Sequence, residues 1–186
     1  MASNASGAPG PRVPWRIIGW AVPVALLMVP WLAQWPWSAA DFIVAGAMFA
    51  IVGGTFELAV RASGNLAYRG AVAVALATAF LLVWINLAVG IIGDESNPLN
   101  LMFLGVIAAA LVGSVAARFE AGGMARAMTV AAGIQGLIGA GVFLKGTGAS
   151  EPPGPIGILL LIEFFAASWL LSAWLFRRAA QDERRA

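Results

Sequence analysis

The sequence contains neither cysteine nor histidine. The absence of cysteine excludes disulfide bonds and thiolate metal sites from this chain. The absence of histidine excludes imidazole-ligated metals, haem held by histidine, Ser-His-Asp hydrolysis and proton relays through imidazole. An enzyme would therefore have to use carboxylate chemistry, and no two acids lie at a spacing suited to it. We expect no enzymatic activity, no metal and no cofactor.

Charged residues are also scarce. They make up 11% of the 186 residues, whereas 61% are hydrophobic, and the mean hydropathy is +0.87. A soluble domain has about 25% charged and roughly 45–50% apolar residues. A water-soluble core of this length cannot hide so much apolar surface, so the composition predicts an integral membrane protein whose main partner is the lipid bilayer. The net charge of +2 needs no nucleic-acid partner.

Six long apolar stretches predict an all-α bundle of six transmembrane helices. The predicted spans are residues 17–32, 40–60, 70–92, 99–117, 125–144 and 156–176. Residues 12–178 would form one transmembrane domain, between a disordered cytoplasmic tail at 1–11 and a polar cytoplasmic tail at 179–186. A cleaved signal peptide is an alternative interpretation of the first stretch, because the small residues 38–40 resemble a cleavage site.

The basic residues predict how the chain is threaded. Ten of the eleven lysines and arginines fall in alternate segments, and only Lys145 falls in a segment of the opposite set. Positively charged loops stay on the cytoplasmic side of a membrane. This pattern predicts six crossings with both termini in the cytoplasm, in a bacterial cytoplasmic membrane.

Three polar side chains within the predicted spans are candidates for a transport or ion-binding site. Glu163 lies about seven residues into the sixth span, and a carboxylate at that depth is costly unless it is paired, hydrated or protonated. Asn86 in the third span and Gln135 in the fifth carry amides that can bond across helices. Together the three predict an outward-facing polar pocket. The alternative is a structural glutamate with two independent interhelical hydrogen bonds.

Short-range polar pairs mark several helix ends. Glu57 and Arg61 are four residues apart, which places them on one helix face and predicts a structural ion pair. Ser38 and Asp41 form the S-x-x-D pattern of a capping box at the start of the second span. Asn97 before a proline predicts the beginning of the fourth span.

Small residues recur every four positions in two of the spans. Such stripes allow helix backbones to approach closely, either within a bundle or between subunits. We expect them to pack helices within the bundle, and a contact with another membrane protein or a second copy is the alternative. The stripes are Gly105, Ala109 and Gly113 in the fourth span, and Ala132, Gly136 and Ala140 in the fifth.

Three stretches of sequence resemble a group of small multi-pass bacterial membrane proteins to which no activity is assigned. They are residues 37–41 (WSAAD), residues 57–69 with their ELAVR, SGN and YR segments, and residues 84–100 with WIN, GDE and NPLN. The resemblance covers roughly residues 37–145. It implies a bacterial cytoplasmic membrane protein and supplies no functional residue.

Two functions are compatible with these observations. The first is transport of a small solute or ion through a polar site built from Glu163, Asn86 and Gln135. The second is a non-catalytic accessory or assembly subunit that binds another membrane protein through the small-residue stripes.

Overall fold

The computed structural model describes residues 15–146 and 153–185, with side chains from residue 19 onward. Over these residues the chain is helical and contains no strand. The helices are α1 Trp15–Leu32, α2 Ala39–Ala62, α3 Leu66–Ala88, α4 Leu101–Ala116, α5 Ala121–Leu144 and α6 Gly154–Glu183, and a 3₁₀ turn, Pro98–Asn100, leads into α4. The N-terminal tail predicted at residues 1–11 lies outside the described residues.

Five of the described helices are long and apolar enough to cross a membrane. They are α2, α3, α4 with its 3₁₀ turn, α5 and α6, while the stretch of α1 whose side chains the structure describes, Gly19–Leu32, is apolar but shorter. Large aliphatic side chains on their outer faces are exposed, among them Leu137 at 75% and Leu160 at 65%. Such a surface requires a lipid environment, so this chain is a multi-pass membrane protein.

The chain divides into two compact units within α2, between Gly53 and Gly54. The first unit holds α1 and the beginning of α2. Here the Trp20 ring lies over Gly53, where an added Cβ would come within 3.0 Å of the ring. The α2 helix begins with the predicted capping box, because the Ser38 backbone N–H donates to Asp41 Oδ2 at 2.7 Å and the Asp41 N–H donates to Ser38 Oγ at 3.3 Å.

The second unit is built from the end of α2 and the four helices α3 to α6. The α5 helix packs against both α4 and α6, and α6 also packs against α3. One buried cluster surrounds Trp169 and Phe176, and another surrounds Phe103 and Phe165. Half of the buried residues of α5 are alanine, and such small side chains allow neighbouring helix backbones to approach closely.

The connection between α3 and α4 wraps around the buried side chain of Asn100. Its Oδ1 accepts from the N–H groups of Ile91 and Ile92 at 3.2 and 3.0 Å, and its Nδ2 donates to the Asp94 carbonyl at 2.8 Å. Gly90, with φ of +73°, lies too close to the Asp94 carbonyl to carry a Cβ. The α3 helix therefore ends at Ala88, four residues before the end of the predicted span.

Polar contacts also fix the opposite ends of these helices. Asn65 caps α3 by accepting from the N–H groups of the first turn, and Arg69 donates to the Ser63 carbonyl at 2.7 Å. The Tyr68 hydroxyl donates to the Phe119 carbonyl at 2.8 Å. Phe119 and its neighbour Arg118 both have positive φ, of 60° and 51°, and they form the tight turn between α4 and α5.

The last helix is longer than the sixth predicted span. It continues to Glu183 and so includes most of the segment predicted as a polar tail from residue 179. Ala179 is fully buried and Phe176 lies in the core cluster, so packing against the bundle extends helical structure beyond the apolar stretch.

Candidate functional site: polar groups of the helix bundle

Gln135 is completely buried, as is Ser172 among the polar side chains that the structure describes. Gln135 lies on the packed face of α5 with 0% of its surface exposed, in line with Ala131, Ala132 and Gly139. Neither its Nε2 nor its Oε1 has a hydrogen-bond partner. An amide buried in this state costs about 1–3 kcal/mol relative to a satisfied one. The interhelical hydrogen bond expected of Gln135 is therefore not present.

Glu163 lies at the contact between α5 and α6, with its carboxylate beside two glycines of α5. A Cβ added to Gly136 would be 3.7 Å from Glu163 Oε2, and one added to Gly139 would be only 2.6 Å from Oε1. Because glycine has no Cβ, the carboxylate fits against this part of α5. Glu163 is nevertheless exposed, so it lies at the edge of the helix pair and not in its interior.

Gln135 and Glu163 occupy neighbouring turns of two antiparallel helices. Gly139, which Glu163 contacts, follows Gln135 by four residues and lies on the same face of α5. Four residues correspond to a rise of about 6 Å along a helix. Gln135 thus lies one turn along α5 from the glycine that the Glu163 carboxylate contacts.

None of the contacts described for the chain joins Asn86 to Gln135 or Glu163. Asn86 lies in the last turn of α3, where its Nδ2 donates to the Leu82 carbonyl of the same helix at 2.6 Å. Its Oδ1 is buried and has no hydrogen-bond partner. The Asn86 amide thus donates within its own helix. It makes none of the interhelical hydrogen bonds described for the chain. The outward-facing pocket predicted from Glu163, Asn86 and Gln135 therefore stays a prediction.

The structure adds one polar group that the sequence analysis did not single out. The indole Nε1 of Trp169 is buried without a hydrogen-bond partner, on the face of α6 that packs into the core. By contrast, the buried Ser172 hydroxyl donates to the Ala71 carbonyl of α3 at 2.9 Å. A tryptophan in an apolar stretch gives no sign that its N–H will be unpartnered, because that depends on which helix lies opposite.

The small-residue stripes divide between inner and outer faces. Gly113 packs on α5, since a Cβ there would lie 2.8 Å from the Ala127 Cβ, whereas Gly105 has nothing within 4 Å of the same position. In α5, Gly136 faces Glu163, and of the two alanines Ala132 is buried and Ala140 exposed. Ala109 of α4 is half-buried. A spacing of four residues therefore does not select one contact face here.

Glu57 and Arg61 form an ion pair at the end of α2, with 2.6 Å between Arg61 Nη2 and Glu57 Oε1. The Arg61 side chain is largely exposed, at 62%, so the ion pair contributes little to stability. The predicted ion pair is therefore present, at the end of α2.

The described residues contain no cluster of three or more acidic side chains that could hold a metal ion. The chemistry of the site is therefore that of one carboxylate and one amide. A carboxylate binds a proton or a monovalent cation, and an amide both donates to and accepts from a hydrated ion or a small polar solute.

Comparison with protein-family models, with curated proteins and with solved structures found no match for this chain.

Proposed function

We propose that this chain is a small membrane transporter that moves protons or another small cation, with Gln135 and Glu163 as its polar site. The observation that carries the proposal is the amide of Gln135, which is completely buried among helices and has no hydrogen-bond partner. Selection for stability alone favours an apolar side chain at such a position. A polar group kept there at a cost is a mark of function inside membranes.

The position of Glu163 supports the same function. Its carboxylate contacts the Gly136–Gly139 segment of α5, one turn from Gln135. No ion pair is described for Glu163, so an incoming cation or proton meets no competing cation in the described structure. A proton or cation bound to the carboxylate neutralises a charge that the membrane disfavours. The neighbouring amide then provides a second polar group towards the interior of the bundle.

Flux measured in vesicles tests this proposal. The full chain is reconstituted in liposomes that contain a pH-sensitive dye, and a potassium diffusion potential is imposed with valinomycin. We expect proton entry above that of protein-free vesicles, and we expect Glu163→Gln to abolish it. A parallel experiment with a sodium-sensitive dye distinguishes the two cations.

Glu120→Gln is the matched control, since Glu120 lies in the exposed α4–α5 turn and caps α5 without a side-chain bond. This variant loses the same charge and should keep the flux. Equal flux from Glu163→Gln and the parent, or no flux of either cation from the parent, contradicts transport.

A second candidate function is that of an accessory subunit, and the exposure of Glu163 favours it. An exposed carboxylate in a transmembrane helix can pair with a cation from another membrane protein. Gly105 has open space around it and is suited to close approach by a partner helix. In mild detergent this function predicts a stable copurifying partner that Gly105→Leu releases. Purification of the chain by itself contradicts it.

We also propose that both termini face the cytoplasm and that the protein resides in a bacterial cytoplasmic membrane. The asymmetry of ten basic residues against one supports this orientation. Reporter fusions to the two ends test it directly. An alkaline phosphatase fusion should be inactive at either end, and a green fluorescent protein fusion should be fluorescent at either end.

A further inference from the structure

We propose that Arg126 of α5 and Arg177 of α6 form a binding site for the headgroup of an anionic phospholipid. The two residues lie at the same end of the α5–α6 pair, on the surface of the bundle, and both are exposed. This site is separate from the Gln135–Glu163 pair and does not depend on its function.

Thr129 brings the two arginines together. Arg177 Nη2 donates to the Thr129 hydroxyl at 3.3 Å, so the guanidinium group of α6 lies across the surface of α5. Arg126 precedes Thr129 by three residues, which places the two Cβ atoms about 5–6 Å apart on one face of the helix. Arg126 and the Arg177 guanidinium group therefore both lie next to Thr129.

These two positive charges have no acidic partner in the described part of the chain. The ion pair described there joins Glu57 and Arg61, and neither Arg126 nor Arg177 has a carboxylate within salt-bridge distance. Asp182, an acid of the same helix end, is bonded to the Asn65 amide at 3.5 Å. Two adjacent guanidinium groups repel each other, and an anion between them removes the repulsion.

The surroundings identify the anion as part of a lipid. Trp174, which lies one turn before Arg178, is 47% exposed, and the Arg178 guanidinium lies 4.1 Å from the centre of its ring. Exposed tryptophan beside arginine is typical of the headgroup layer of a membrane. Arg177 lies in that same turn of α6, so the guanidinium pair is at the level of lipid phosphates. Arginine binds phosphate through two parallel N–H donors, which a phospholipid headgroup satisfies.

Lipid binding to the purified full-length chain tests the site. Native mass spectrometry in detergent measures the affinity for phosphatidylglycerol and for phosphatidylcholine, the parent being compared with the double variant Arg126→Gln/Arg177→Gln. We expect the parent to prefer phosphatidylglycerol and the double variant to lose about thirtyfold in its affinity, since each arginine near a membrane surface contributes about 1 kcal/mol.

Arg184→Gln/Arg185→Gln is the matched control, because it removes the same charge from the C-terminal end of α6, about two turns beyond Arg177, and should keep the preference. Arg126→Lys/Arg177→Lys keeps both charges but loses the paired N–H donors, so it should bind phosphatidylglycerol more weakly than the parent while still preferring it to phosphatidylcholine, even if the glutamine variant does not fold. Equal losses in the glutamine and control variants would overturn the site in favour of a diffuse charge effect. Competition by free glycerol phosphate at the affinity of the lipid would overturn the assignment to a membrane lipid.

Discussion

Replacing Gln135 by methionine should stabilise the protein. Methionine has nearly the volume and flexibility of glutamine, so the packing of α5 is kept while the unpartnered amide disappears. Because Gln135 is 0% exposed and neither of its polar atoms has a partner, the substitution removes a desolvation cost of about 1–3 kcal/mol. The free energy of unfolding should rise by that amount while transport is lost.

The sign of the change in the free energy of unfolding shows whether the Gln135 amide is unpartnered or hydrogen-bonded. If Gln135 instead bonded another helix, its removal would cost about 0.6–2 kcal/mol, as for other interhelical hydrogen bonds in membranes. Ser172→Ala is the internal comparison, since the Ser172 hydroxyl does bond the Ala71 carbonyl at 2.9 Å. Unfolding in mixed micelles of mild detergent and dodecyl sulfate, followed by circular dichroism, measures both variants. Gln135→Met should unfold at a higher dodecyl sulfate fraction than the parent, and Ser172→Ala at a lower one. If Gln135→Met is destabilised, the Gln135 amide does not carry the cost of an unpartnered polar group.

Three further predictions concern the loop and the helix contacts. Asn100→Leu should lower the free energy of unfolding by at least about 2 kcal/mol in the same assay, because it strands the buried N–H groups that the Asn100 side chain binds. The Asp94 pKa should lie below its ordinary value, because the Ser96 hydroxyl and N–H donate to the carboxylate; Ser96→Ala should raise it in an NMR titration. The depressed pKa means that this loop contact is present above the unfolded-state pKa and is lost as the pH falls through the folded-state value. Gly113→Leu should destabilise the bundle by about 1–3 kcal/mol, whereas Gly105→Leu, with open space around it, should leave the unfolding midpoint unchanged.

The features that sequence analysis predicted well depend on residues close together in the chain. The capping box of Ser38 and Asp41 involves three residues of separation, and Asn97 caps the turn that leads into α4 by accepting from the Leu99 N–H at 3.0 Å. Their geometry follows from helix pitch alone. The apolar runs likewise located the helices, because each run must be long enough to span lipid.

Features that depend on distant residues were not predictable. The end of α3 is set by Asn100, twelve residues beyond Ala88, because the Asn100 side chain accepts hydrogen bonds from the backbone between them. The stripe of α4 contains one glycine that packs on Ala127 and another that packs on nothing, since the crossing of the helices and not the spacing selects the contact. In the sequence, Asn86 and Gln135 are alike, because each is an amide residue within a predicted span. The structure separates them because Asn86 lies in the last turn of its helix and Gln135 lies inside the bundle.

Proton or cation transport through Glu163 requires that water reach its carboxylate, and cysteine labelling measures this access directly because the parent chain contains no cysteine. A charged, water-soluble thiol reagent is applied to vesicles that carry Glu163→Cys, Phe164→Cys or Ser96→Cys. Phe164 is the next residue of α6 and is 57% exposed, so it tests the lipid-facing surface at the same depth, while Ser96 lies in the exposed loop. If water reaches Glu163, we expect labelling at residues 163 and 96 but not at residue 164. Equal protection of residues 163 and 164 contradicts this access and leaves Glu163 as a contact for a partner in the membrane.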